Sequence, residues 1–181
     1  MSIGKANLTV ALVIAYWMAI STPCKAEATK EAQVKAAFVY NFTQFVDWPA
    51  GAFAGPDAPF VVAIVGDDPF SGAIEEAMDG QSVNGRPIAV RHFASAKQIE
   101  RCQLLIVPAS QQAAAPVILA KIANAPVLTV GDGDSFMAQG GAIRLFQQGA
   151  RVRFELSPDV MAAARVVPGA KLMKLARIYR K

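Results

Sequence analysis

The side chains with the most evident capacity for chemistry are four aspartates in two short loops, Gly66-Asp67-Asp68 and Gly131-Asp132-Gly133-Asp134. Each loop directly follows an apolar run, Phe60 to Val65 and Val127 to Val130. Carboxylates grouped this way could hold a hard cation, which takes oxygen ligands. Asp, Gly and Pro also populate tight turns for backbone reasons alone, and that use explains the pattern more simply. A phosphate-binding loop would set glycines at fixed intervals before a helix N-terminus free of carboxylates, so dinucleotide binding is disfavoured. A phospho-acceptor receiver domain would need an aspartate after the run Leu104 to Val107, where Pro108-Ala109-Ser110 stands instead.

Other nucleophiles and bases are sparse. His92 is the single histidine, in Ala89-Val90-Arg91-His92-Phe93, and no G-x-S-x-G motif accompanies it. Cys102 lies just before Leu104-Leu105-Ile106-Val107. Free cysteine most often behaves as a small buried hydrophobe; the sharper alternative is a redox sensor or an intermolecular disulfide at Cys102. Beyond residue 26 the chain offers one Cys and one His, short of the three or four ligands that zinc takes. The reading is a non-catalytic domain without metal or cofactor.

These residues must be positioned by an alternation of strands and helices. Helical spacing over residues 27–47 puts Val34, Ala37, Phe38, Asn41, Phe42 and Phe45 on one face, and Trp48-Pro49 ends the element. Strands predicted over residues 60–65, 88–93, 103–107 and 127–130 alternate with helices over 70–78, 95–100 and 110–123. Such alternation implies right-handed crossovers and a parallel sheet covered on both sides. The rhythm then changes. Ala142–Phe146 and Arg151–Leu156, linked by Gln147-Gln148-Gly149-Ala150, read as an antiparallel hairpin. A helix over 158–165 follows, with Ser157 as N-cap and Pro158 in its first turn, and a last helix over 169–179 carries Lys171, Lys174 and Arg177, with Arg180 and Lys181 directly after it. The expected fold is a single-domain, three-layer α/β sandwich with a mainly parallel, Rossmann- or flavodoxin-like sheet and a C-terminal antiparallel hairpin.

Composition agrees with one folded domain: 181 residues, 54% hydrophobic and 18% charged, lie outside the regime of disordered chains. A formal charge of +4 is too small and too dispersed to indicate nucleic-acid binding. Met1 to Ala26 reads as a secretory signal peptide cleaved after Ala26, with Lys5, an apolar run from Leu8 to Ile20, Pro23, and small residues near the cleavage site. The apolar run falls short of the ~20 residues that span a bilayer. Residues 27–181 would then form the exported domain. Cys24 as an acylated residue fits less well, because Pro23 precedes it and Ser21 replaces an aliphatic side chain.

Four stretches together resemble the YfiR-like family. They are Val34 to Phe42 continuing through Phe45-Val46-Asp47-Trp48-Pro49; Cys102 to Val107; Pro126 to Val130 with Phe136 and Gly140-Gly141-Ala142-Ile143; and Val152-Arg153-Phe154-Glu155 with Lys171 to Arg177. The resemblance implies a periplasmic negative regulator that binds the periplasmic region of an inner-membrane diguanylate cyclase and is released through an OmpA-like outer-membrane lipoprotein. Cyclic-di-GMP level and biofilm behaviour would follow. Tyr40, Trp48, Lys174 and Arg177 are the candidate partner-binding residues, as amphipathic aromatics and exposed cations. Family members commonly carry further cysteines that pair, whereas Cys102 stands alone here beyond residue 26, which leaves a Cys102–Cys102 link in a homodimer as the disulfide open to it. A periplasmic small-ligand sensor and a hydrolase acting through Asp67 or Asp132 are the alternative classes.

Overall fold

The structure, a computed structural model, describes residues 29–180; the signal peptide expected over 1–26 lies outside them. An eight-stranded sheet runs in the order β10-β8-β7-β6-β5-β2-β4-β3. Its strands are β2 (Phe60–Val65), β3 (Ser82–Val83), β4 (Arg86–Phe93), β5 (Leu104–Val107), β6 (Leu128–Gly131), β7 (Ile143–Gln148), β8 (Arg151–Leu156) and β10 (Arg177–Ile178). The pairs from β4 through β2, β5 and β6 to β7 are parallel, and β7 with β8 is the expected antiparallel hairpin. Helices α1 (Lys30–Phe45), α2 (Ala73–Met78), α4 (Pro158–Ala163) and α5 (Ala170–Leu175) contribute to one core, and α3 (Ala115–Ile122) to the other. This is the three-layer α/β arrangement expected.

The continuous apolar runs are explained by the two cores. Every residue of β2, β5 and β6 is buried, as suits parallel strands covered on both faces. Successive side chains then divide between the layers: Phe60, Val62, Ile64, Leu104 and Ile106 face α1, while Val61, Ala63, Val65, Leu105 and Val107 face α3.

Several local expectations need correction. The buried stripe of α1 is Ala32, Ala36, Val39 and Thr43 with Phe42, so Val34, Ala37 and Asn41 point outward. Small side chains let this helix approach the sheet and α2 closely, and the large Phe38 and Phe45 are left half-buried at its flanks. The last helix stops at Leu175; Arg177 and Ile178 are extended and pair parallel with Glu155 and Leu156 of β8. Residues 96–98 and 109–111 form single 3₁₀ turns, which shortens the two helices expected there. A second, two-stranded sheet pairs β1 (Val46–Asp47) with β9 (Val167–Pro168) and ties the end of α1 to the C-terminal segment. Ser157 caps α4 as expected, accepting from the Val160 amide, with Pro158 in the first turn.

Candidate functional site

Doubly wound sheets hold ligands outside the carboxyl ends of their strands where the strand order reverses, here between β2 and β5. The chain fills that crevice with its own side chains. Gly66, with a left-handed φ of +79°, lies directly beneath the Gln111 side chain, where a Cβ would collide. Asp132 Oδ1 accepts from the Ala109 amide at 2.8 Å, so the 3₁₀ turn after β5 receives an internal carboxylate where an external anion would sit. Asp132 Oδ2 accepts from Lys35 Nζ at 3.1 Å, and Glu31 contacts the same ammonium at 3.0 Å. Burial works to lower the Lys35 pKa, but these two carboxylates outweigh it and hold the ammonium above its ordinary range. Alongside, the Phe136 ring lies against Gly131 and Gly141 so closely that a Cβ on Gly131 would approach it within 2.7 Å.

The four loop aspartates do not converge. Asp68 accepts from the Phe70 and Gly72 amides at 2.8 and 2.7 Å, a turn role, and Asp134 pairs with Arg144 at 2.9 Å from an exposed position. Asp67 is exposed. Among the described residues no group of three or more His, Cys, Asp or Glu side chains could hold a metal ion. His92 is a partly exposed strand residue that pairs with Glu75.

At the opposite, amino ends of the strands the buried Gln103 is a junction. Its side chain accepts from the Val61 amide at 2.8 Å and donates to the Ala52 carbonyl at 2.6 Å, and its own carbonyl accepts from Trp48 Nε1 at 3.0 Å. Trp48 also packs edge-on against Phe60 with ring centroids 4.8 Å apart. Cys102 is 3% exposed, and burial pushes its thiol up to about 12. A cavity of about 370 Å³ opens beside it, bordered by Arg101, Lys121, Asn124 and Val127.

The third region is the open face of β7, β8 and β10. Arg144, Glu155 and Arg177 are register partners across the three strands. Glu155 is 5% exposed and sits between the two guanidinium groups. Arg177 donates to Oε2 through two nitrogens at 3.0 and 2.6 Å; Arg144 Nε lies 2.8 Å from Oε1 as an ion pair without donor alignment. Both guanidiniums also lie over the Phe146 ring, at 5.2 and 4.8 Å from its centroid. The outer edge of β8 borders a groove of about 510 Å³ against α1, lined by Glu31, Val34 and Phe38 and by Arg151, Val152 and Arg153 of the strand itself.

The candidate partner-binding residues occupy different parts of the molecule. Tyr40 donates its hydroxyl to Gln81 near the β3 edge, Trp48 lies under the amino ends of the central strands, and Arg177 forms the opposite edge. Lys174 is exposed on α5 and does not share a helix with Arg177. Sequence reasoning places Glu155 with Arg151 and Arg153 on the solvent face of its strand but assigns no functional role to it, nor to Arg144, Phe146 or Gln103. The strict alternation of Arg151, Arg153 and Glu155 against Val152, Phe154 and Leu156 was the one available signal for the charged face.

Comparison with known proteins agrees with this architecture. The chain is similar in fold to the crystal structure of a conserved domain protein from Vibrio cholerae O1 biovar El Tor str. N16961, with a TM-score of 0.56 at 6% identity. The match covers 82% of this chain and 60% of that one. No curated protein sequence matches the chain. No described helix is long and apolar enough to cross a membrane. The family profile described as YfiR/HmsC-like, DUF4154, matches residues 32–177, from the first turn of α1 to β10. With nearly all of α1, the buried residues of both cores and the C-terminal hairpin inside that match, the chain belongs to the YfiR/HmsC-like family.

Proposed function

We propose that the protein is a periplasmic negative regulator that binds the periplasmic region of an inner-membrane diguanylate cyclase and lowers cyclic-di-GMP signalling. The observation that carries this reading is the family match over residues 32–177. The geometry supports it. The usual ligand seat at the carboxyl ends holds Gln111, Asp132 and Lys35, while the face around Phe146 stands open with Arg151, Arg153 and Arg177 exposed. A binder of this kind represses only if it prefers the inactive state of the cyclase, so repression measures differential affinity rather than affinity. Release by an OmpA-like outer-membrane lipoprotein would compete for the bound form. Lys174 is exposed and unbonded among the described residues, whereas Arg177, Tyr40 and Trp48 would contribute through groups already bonded within the fold. A Cys102–Cys102 link requires its buried site to open first.

The test is capture of membrane proteins by the purified chain, combined with cyclic-di-GMP measurement in a deletion strain. A co-purified diguanylate cyclase and a raised dinucleotide level are expected. Unchanged dinucleotide, or the folded protein recovered from the cytosol, overturns the reading. The cavity beside Cys102 favours a second reading as a small-ligand sensor, which a ligand-dependent rise in melting temperature would reveal.

A further inference from the structure

We propose that the outer edge of β8, from Arg151 to Phe154, is a docking site for an extended segment of a partner protein in which acidic and apolar residues alternate. The proposal deepens the regulator reading and rests on it for the existence of a protein partner. β8 pairs with β7 along all of Arg151–Leu156, but on its other side β10 covers only Glu155 and Leu156. Before Arg177 the chain turns into α5, which ends at Leu175. The strand edge from Arg151 to Phe154 therefore has no ladder partner among the described residues. An unpaired edge is a template for strand addition, with main-chain bonds supplying affinity and alternate side chains supplying specificity.

Alternation within β8 defines what the added strand must present. Arg151 and Arg153 lie on the open face, opposite Gln148 and Phe146 in the register. Both are exposed and make no ion pair among the described residues, unlike Arg144 and Arg177, which already hold Glu155. Carboxylates on the incoming strand would meet these two cations. Residues of the other parity fall on the side of Val152, in a groove that runs along the strand edge and is lined by Val34 and Phe38 as well as by Arg151 and Arg153. Val34 is 39% exposed, an apolar surface such residues would cover. A second copy of this chain is the poorer occupant, because edge-to-edge pairing would set arginines near arginines, and like charges in close cross-strand register destabilise.

The experiment uses acetyl-(Glu-Val)4-amide as the probe, with amide hydrogen exchange and titration as readouts. Binding with slowed exchange at residues 151–154 is expected. N-methylation of alternate residues along the peptide should abolish it. Arg151→Glu with Arg153→Glu should weaken it by about tenfold or more and transfer preference to acetyl-(Lys-Val)4-amide. Equal binding by the N-methylated peptide, or by the charge-swapped protein with its melting temperature intact, overturns the proposal. So does aggregation of Arg151→Ala/Arg153→Ala without change in peptide affinity, which would make the arginines guards of the edge. The purified periplasmic region of a diguanylate cyclase serves as a second probe. Binding that protects other segments but not 151–154 sinks the docking site and spares the regulator reading; peptide binding without cyclase binding does the reverse.

Discussion

The central strands β2, β5 and β6 and the C-terminal strands β7, β8 and β10 belong to one sheet but solve opposite problems. The first set is buried on both faces and consists almost wholly of aliphatic and aromatic residues. The second is covered on the α1 side only, and its other face carries four arginines, a buried glutamate and Phe146. Central strands contribute stability through apolar burial, which is non-directional and tolerates little loss of volume. The outer strands hold charges in fixed positions, which adds little stability and offers much for recognition.

Four measurements test that contrast, beginning with the largest expected effect. Phe60→Ala removes a fully buried ring that packs against Trp48 and should cost about 3–5 kcal/mol in urea unfolding. Gln103→Ala, at the amino end of β5, leaves the Val61 amide and Ala52 carbonyl without partners and should cost about 2–3 kcal/mol by the same assay. In the outer set, Glu155→Gln keeps the shape but discharges the group between Arg144 and Arg177. The largely exposed Arg177 can turn to solvent and the partly buried Arg144 keeps Asp134, so the loss should fall below the ~3–5 kcal/mol of a buried pair broken outright, at about 2 kcal/mol. A loss equal to that of Phe60→Ala would dissolve the distinction between the two regions.

The smallest effect at neutral pH is that of Cys102→Ala. The folded thiol is raised from 9.0 to about 12, so the unfolded chain ionises first. Stability from this group is therefore complete below pH 9 and declines as pH rises toward 12. The raised Lys35 contributes a further decline above its ordinary 10.5. Thermal melts should show that Cys102→Ala removes the fall that begins near pH 9 and leaves only the Lys35 decline above 10.5. Equal slopes in the two proteins would mean that the cysteine site opens readily.

Where sequence pattern alone determines structure, reading it worked. Phe60 to Val65 read as a covered strand, Gly149 indicated the hairpin, although Gln147 and Gln148 of the expected link extend β7 and leave a two-residue turn, and Ser157-Pro158 marked the start of α4. Where a distant residue decides, the pattern misled. Phe38 and Phe45 drew the expected face of α1 toward themselves, yet close approach favours Ala32, Ala36 and Thr43. Arg177 sits in an apparently helical stretch but leaves it to meet Glu155, 22 residues earlier. Gln103 gives no local sign that it joins Ala52, Val61 and Trp48, because its partners are set by the strand order. The charged face was half legible: alternation along β8 showed which residues share a side, but only the sheet order shows Arg144 and Arg177 flanking the same carboxylate.

Lys35 and Asp132 carry one last implication. Because the cation and the anion at the crevice come from the same polypeptide, the seat is complete as soon as the chain has folded. Its occupancy follows from synthesis and is independent of phosphate or nucleotide concentration outside. A crevice of this kind offers a diffusing metabolite no vacant charge to settle on.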